Sequence, residues 1–218
     1  MKLIIFDLDG TLVDSLEDLA DAANYAMKHF GYPVHPIEAF RYFVGNGIPK
    51  LIERCLLESE RSPERIEEVR AVFSGYYNVH FADKTRPYDG IPELLDKLRS
   101  EGVRTAVASN KSDDFTHVIT DSFFKGTFDA VIGSREGVPR KPAPDIVFDI
   151  MKELGADASD TYFAGDSNVD MYTAKNAGIR AIGCLWGFRT KEELLEGGAD
   201  FLAENPWSIF DILFEKEK

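Results

Sequence analysis

The sequence predicts an α/β fold, in which a parallel sheet lies between layers of helices and a helical lobe is inserted after the first strand. Three observations predict it. Short runs rich in Val, Ile and Phe alternate with helical stretches through the second half. Runs this apolar on both faces belong to parallel sheets that helices cover on each side. Residues 15 to 84, by contrast, read as helix after helix with no convincing strand.

The first strand lies in IIFDLDGT, residues 4 to 11, an apolar run that ends in Asp7 and Asp9 one residue apart, followed by Gly10 and Thr11. The inserted lobe then begins with a helix from Ser15, with Asp18 three residues on as an approximate capping box. Leu16, Leu19, Ala23, Met27 and Phe30 share one face of that helix, and Gly31 ends it. A second insert helix starts at Ser62-Pro63, an N-cap and first-turn pair, and runs through IEEVRAVFSGYYNVHF. After the insert the strands are VRTAVAS at 103–109, FDAVIG at 128–133, TYFAGD at 161–166 and IRAIGC at 179–184. Helices lie between them: IPELLDKLRSE closed by Gly102, PAPDIVFDIMKEL closed by Gly155, and NVDMYTAKNA closed by Gly178. DFLAE at 200–204 is an expected edge strand and WSIFDILF a last helix, with EKEK fraying at the C-terminus. The expected domains are a Rossmann-like core from 1–14 and 85–218, and an all-helical cap from 15–84.

Bulk composition narrows the function. A chain of 218 residues, 44% apolar, can bury one substantial core and a second small lobe. Its net charge of −13 repels phosphate backbones and anionic membranes, so nucleic acid and membrane are not expected partners. No apolar run reaches the roughly 18 to 20 residues of a membrane span, and no signal peptide is read, so a cytoplasmic monomer or homodimer is expected. Cys55 and Cys184 lie too far apart in the chain to suggest a disulfide framework or a cysteine metal site. His29, His35, His80 and His117 show no metal-ligand spacing and are read as structural.

Four strand ends carry polar residues of complementary kinds. The first presents Asp7 and Asp9. The second ends in Ser109-Asn110-Lys111, the loop after the third holds Lys141-Pro142, and the fourth runs into Gly165-Asp166-Ser167-Asn168-Val169-Asp170. Asp and Gly at one strand end make an ordinary turn. If the four strands are neighbours, however, one crevice collects acids, hydroxyl and amide donors and a lysine, at the edge where open α/β sheets bind ligands. Carboxylates gathered together repel one another, and a divalent cation compensates; magnesium takes oxygen ligands and shares them with phosphate. Hydroxyl, amide and ammonium groups suit the oxygens of a transferred phosphoryl group. Residues two apart face the same side if the strand stays extended, which would put Asp7 and Asp9 together while Gly10 lets the chain turn away. Lys111 is read as a solvated surface lysine.

DLDGT, S-N-K, K-P and GDSNVD, in this order, resemble the four motifs of the haloacid dehalogenase-like phosphohydrolases. DGTLVDSLEDLADAAN, VGNGIPKLI, KPAPD, GDSNVDMYTAKNAG and LWGF are most similar to the phosphoglycolate phosphatase subgroup, with departures at Asp89 and Thr173. The resemblance implies that Asp7 is the nucleophile and Asp9 the general acid and base. It implies magnesium held by the Asp7 carboxylate, the Asp9 carbonyl and Asp166, with Asp170 acting around the metal or simply as a first-turn acid. It implies phosphoryl contacts from Ser109 and Asn110, with Lys141 neutralising charge and positioning Asp7. The substrate it implies is a small anionic phosphomonoester, 2-phosphoglycolate first. A β-phosphoglucomutase or pyrophosphatase is the alternative within the family, and a phospho-accepting signalling module the alternative outside it. A dehalogenase is disfavoured by the presence of Asp9. The insert is expected to close as a lid, with Gly45 to Lys50 offering N–H groups and the Lys50 ammonium to a substrate carboxylate. Residues 15–84 carry 8 Lys plus Arg against 11 Asp plus Glu, a net of −3, so most of the negative charge lies on the core.

Overall fold

The computed structural model describes residues 1–214; the EKEK segment, expected to fray, lies outside them. The chain forms two compact units, Met1–Val13 with Pro87 onward, and Asp14–Arg86. In chain order the strands are β1 (Leu3–Phe6), β2 (Val13–Asp14), β3 (Arg86–Pro87), β4 (Arg104–Ser112), β5 (Ala130–Ser134), β6 (Thr161–Gly165), β7 (Arg180–Cys184) and β8 (Phe201–Ala203). The helices of the first unit are α5 (Ile91–Ser100), α6 (Asp113–Phe123), α7 (Asp145–Leu154), α8 (Asn168–Ala177), α9 (Lys191–Gly197) and α10 (Pro206–Phe214). Those of the second are α1 (Leu16–His29), α2 (Ile37–Phe43), α3 (Ile48–Cys55) and α4 (Pro63–His80).

The first unit is a six-stranded sheet in the order β5-β4-β1-β6-β7-β8, every neighbouring pair parallel. All four residues of β1 are fully buried because the strand is central and helices cover both faces. Leu3 and Ile5 join Ala106, Ala108, Phe163 and Ala181 in one cluster, packed against Ile146, Val147 and Ile150 of α7 and Met171 and Ala174 of α8. Ile4 and Phe6 alternate onto the other face. At about 1.5–3 kcal/mol for each large side chain removed from water, this strand anchors the sheet firmly. The helix stops read from glycine are where they were expected: Gly155 and Gly178 close α7 and α8 in left-handed conformations. DFLAE supplies the parallel edge strand β8.

The second unit is helical. Ser62 caps α4 by accepting from the Arg65 N–H at 3.2 Å, with Pro63 in the first turn. The capping box expected at the start of α1 is not formed by Asp18. Its carboxylate accepts instead from the Lys84 N–H, the Thr85 N–H and the Thr85 hydroxyl, the last at 2.7 Å. Three donors from one segment outcompete a single helix-end amide for a buried carboxylate. Lys50 donates to both carboxylate oxygens of Glu53, at 2.8 and 2.9 Å, so its ammonium is turned onto its own helix. The 45–47 turn takes positive φ at Gly45 and Gly47 and is held by Arg54, which donates to Asn46 Oδ1 and to the Phe43 carbonyl.

Candidate active site

The C-terminal ends of β1, β4 and β6 and the loop after β5 converge within the first unit. Asp7 leaves β1 still in register: its N–H donates to the Ala164 carbonyl of β6 at 2.9 Å, which continues the β1–β6 ladder by one rung. Beyond it the chain winds into a tight loop. The N–H groups of Leu12 and Val13 both reach the Leu8 carbonyl, and the Gly10 N–H reaches the Val13 carbonyl. Gly10 sits at φ +90°, and a Cβ there would lie 2.4 Å from Asp166 Oδ2. Glycine is therefore required twice, for the turn and for the room that it leaves to a carboxylate from another strand.

Lys141 ties the site together. Its Nζ donates to Asp7 Oδ1 and to Asp170 Oδ1, both at 2.8 Å, and lies 5.1 Å over the Phe163 ring. Asp7, Asp166 and Asp170 are buried, and one oxygen of each lies within 4.8 Å of the others. Asp170 also keeps its place in the first turn of α8, where its Oδ2 accepts from the Ser167 N–H at 3.1 Å and the Ser167 hydroxyl at 2.6 Å. The two readings of Asp170, helix-start acid and partner of the site, thus describe different oxygens of one side chain. Asp166 accepts from the Phe188 N–H at 2.7 Å and from Thr11 Oγ1 at 3.4 Å.

Burial pushes the Asp7 carboxyl up to about 8; the charge of Lys141 opposes the rise, while Asp170 and Asp166 add to it. Burial likewise pushes Asp166 up to about 7, assisted by Asp170 and opposed by the Phe188 N–H, Arg189 and Lys141. For Lys141 burial favours the neutral amine, yet the charges and hydrogen bonds of Asp170 and Asp7 together outweigh it and hold the ammonium. The geometry matches an ammonium that donates to two carboxylate oxygens at once, both at 2.8 Å. One ammonium then faces three buried carboxylates. That imbalance, and a donor set made entirely of oxygen, fit a hard divalent cation. Among the described residues this is the group able to hold one, and it contains no histidine or cysteine.

The remaining candidates divide. Ser109 is buried, and its Oγ accepts the Lys111 N–H at 3.2 Å, which leaves the hydroxyl proton to donate. The Asn110 side chain forms a reciprocal pair with the main chain of Lys141: Oδ1 accepts its N–H at 2.9 Å and Nδ2 donates to its carbonyl at 3.1 Å. The amide expected on phosphoryl oxygens thus fixes the lysine loop. The Asp9 side chain stands apart from the three-acid cluster, with Oδ2 3.2 Å from Lys111 Nζ. Lys111, read from sequence as a solvated surface lysine, is 6% exposed. Every residue of β4 from Thr105 to Lys111 is buried, so Ser109, Asn110 and Lys111 are enclosed like the rest of a strand covered on both faces.

Sequence reasoning missed the loop 185–188. Besides the Phe188 bond, Trp186 Nε1 donates to the Thr11 carbonyl at 3.0 Å, and a Cβ on Gly187 would lie 2.1 Å from that of Asp166. Its only signal was LWGF, in which a glycine between aromatics marks close backbone approach.

The family model of the haloacid dehalogenase-like hydrolases matches residues 4–184. A phosphoglycolate phosphatase of Pseudomonas syringae pv. syringae is 35% identical over 218 residues, covering 97% of this chain and 77% of that one. One from Aquifex aeolicus is 33% identical over 189 residues, covering 86% of each. Among solved structures, a phosphoglycolate phosphatase candidate from Lactobacillus delbrueckii subsp. bulgaricus superposes with a TM-score of 0.94 at 31% identity, over 99% of both chains. No helix among the described residues is long and apolar enough to cross a membrane. The chain belongs to the haloacid dehalogenase-like hydrolase family, among its phosphoglycolate phosphatase-like phosphoric monoester hydrolases.

Proposed function

We propose that the protein is a magnesium-dependent phosphatase that hydrolyses a small phosphomonoester through an aspartyl-phosphate on Asp7, with 2-phosphoglycolate as its substrate. One observation carries the mechanism: Lys141 bonds Asp7 and Asp170 at once, with Asp166 beside them at the carboxyl end of a parallel sheet. The substrate follows from the named activity of the relatives at 33–35% identity.

Magnesium would be held by the carboxylates of Asp7 and Asp166 and the Asp9 carbonyl, with Asp170 fixing its surroundings, and would supply positive charge that keeps Asp7 ionised and offsets phosphoryl charge. Asp7, steered by Lys141, attacks phosphorus through a carboxylate oxygen; the P–O bond to the leaving group breaks as the new bond forms. Asp9 gives its proton to the departing oxygen, so that an alcohol leaves. Asp9, now a carboxylate, takes a proton from water. The hydroxide attacks phosphorus, the bond to Asp7 breaks, inorganic phosphate leaves and both aspartates are restored. Ser109 donates its hydroxyl to a phosphoryl oxygen, and Asn110 contributes by holding Lys141 in place.

The test is turnover of 2-phosphoglycolate, β-glucose 1-phosphate and pyrophosphate with magnesium, by wild type and Asp7→Asn. The reading expects 2-phosphoglycolate to give the highest kcat/KM. It expects the variant to fold normally and lose kcat by a factor on the order of 10³ or more. Near-wild-type turnover in Asp7→Asn would overturn the nucleophile, and preference for another member of the panel would overturn the substrate.

A further inference from the structure

The mechanism employs one buried lysine and leaves a second without a task. Lys111 is enclosed at the end of β4, and its ammonium lies 3.2 Å from Asp9 Oδ2. Enclosing an ammonium is costly unless acceptors meet its N–H groups, and a four-carbon stem at a strand end ordinarily reaches for water. Here the Lys111 N–H is bonded to Ser109 Oγ, and the residue is buried with the rest of its strand from Thr105 on. The two aspartates that follow β1 are thereby served by different lysines from different parts of the chain: Asp7 by Lys141 and Asp9 by Lys111.

We propose that Lys111 is a positioning residue for Asp9, holding its carboxyl group where it meets the leaving oxygen in the first half-reaction and water in the second. The inference rests on Asp9 being the proton donor of the proposed mechanism. Lys111 exchanges no proton and makes no bond to phosphorus. As the bond from phosphorus to the leaving oxygen breaks and that from Asp7 forms, the proton passes from Asp9 to the leaving oxygen, and Asp9 recovers one from water. Lys111 limits how far the Asp9 side chain swings between these events. A group that positions a proton donor matters in proportion to how much the leaving group needs the proton.

That dependence supplies the test, made on the full chain with Lys111→Met and Lys111→Arg. The substrates are 2-phosphoglycolate, whose alkoxide needs protonation, and p-nitrophenyl phosphate, whose nitrophenolate departs without it. For Lys111→Met, kcat/KM on 2-phosphoglycolate, which reports the first half-reaction and not the hydrolysis shared by all substrates, is expected to fall about 10- to 100-fold, the scale of a misplaced general acid, with at most a threefold change, roughly, on p-nitrophenyl phosphate. Lys111→Arg should lie between wild type and Met on the alkyl substrate, and it carries the test if the Met variant fails to fold. Adding Lys111→Met to Asp9→Asn should cost nothing further, because the positioned group is already gone. Equal losses of kcat/KM on both substrates, a loss carried by KM alone, or multiplying losses in the double variant would overturn the inference in favour of a structural or substrate-binding lysine. The Asp9→Asn variant by itself separates the two readings: if its kcat/KM does not discriminate between leaving groups, the assignment of Asp9 as proton donor fails, whatever Lys111 does.

Discussion

Gly10 shows how much a single position carries. Its φ of +90° and the 2.4 Å approach of Asp166 Oδ2 mean that a methyl group there both strains the backbone and displaces a carboxylate of the site. Gly10→Ala should destabilise the fold by about 1–3 kcal/mol and reduce kcat at least tenfold, roughly, as read by denaturant melts and steady-state kinetics. A variant matching wild type in both would remove the steric account. From sequence the glycine was legible as a turn former, since D-G-T after an apolar run needs a sharp exit. The partner that makes it indispensable was not legible, because Asp166 comes from another strand. Asn110 and Lys111 show the same limit. The type of Asn110 pointed to the site and Lys111 was read as a surface lysine, but the groups they meet, the main chain of Lys141 and the carboxylate of Asp9, come from other parts of the chain and leave no mark in local sequence.

At the scale of elements, regular structure was read well where local signals agree. The strands from Arg104 to Cys184 are short apolar runs, and α7 and α8 stop at glycines that take the left-handed conformation. The start of α1 went astray because Asp18 has the spacing of a local cap and the partners of a remote one. It joins α1 to the segment at Lys84 and Thr85 through a carboxylate that is 3% exposed. Asp18→Ala should cost about 1–3 kcal/mol, because it leaves the Thr85 N–H and hydroxyl buried without an acceptor. The melting transition is the measurement, and an unchanged midpoint would show that water takes over the bonds. Asp18→Asn, which keeps an acceptor oxygen, should lose less.

For the whole molecule, the gathered carboxylates tie stability to pH and to the cation. Asp7 and Asp166 hold protons more tightly in the folded chain, at about 8 and about 7, than their ordinary 3.8. A raised folded value contributes stability below the unfolded value and loses it as pH climbs through the folded one. Without a divalent ion the fold should therefore weaken progressively between about pH 4 and pH 8. Magnesium competes with those protons, so the rise in Tm on adding it should be larger at pH 8 than at pH 5.5. Thermal melts with and without the ion check this, and a pH-independent rise would argue against binding at these carboxylates.

The position of β1 has a consequence for how the protein is made. Leu3 lies in register with Arg104 on one side and Thr161 on the other. The segment that carries Asp7 is therefore made well before either of the strands that flank it, while the helices of the 14–86 unit find their partners within their own stretch of chain. During synthesis that unit is free to mature early, whereas the carboxylate cluster exists only once β6 has emerged and slotted beside a strand made long before it.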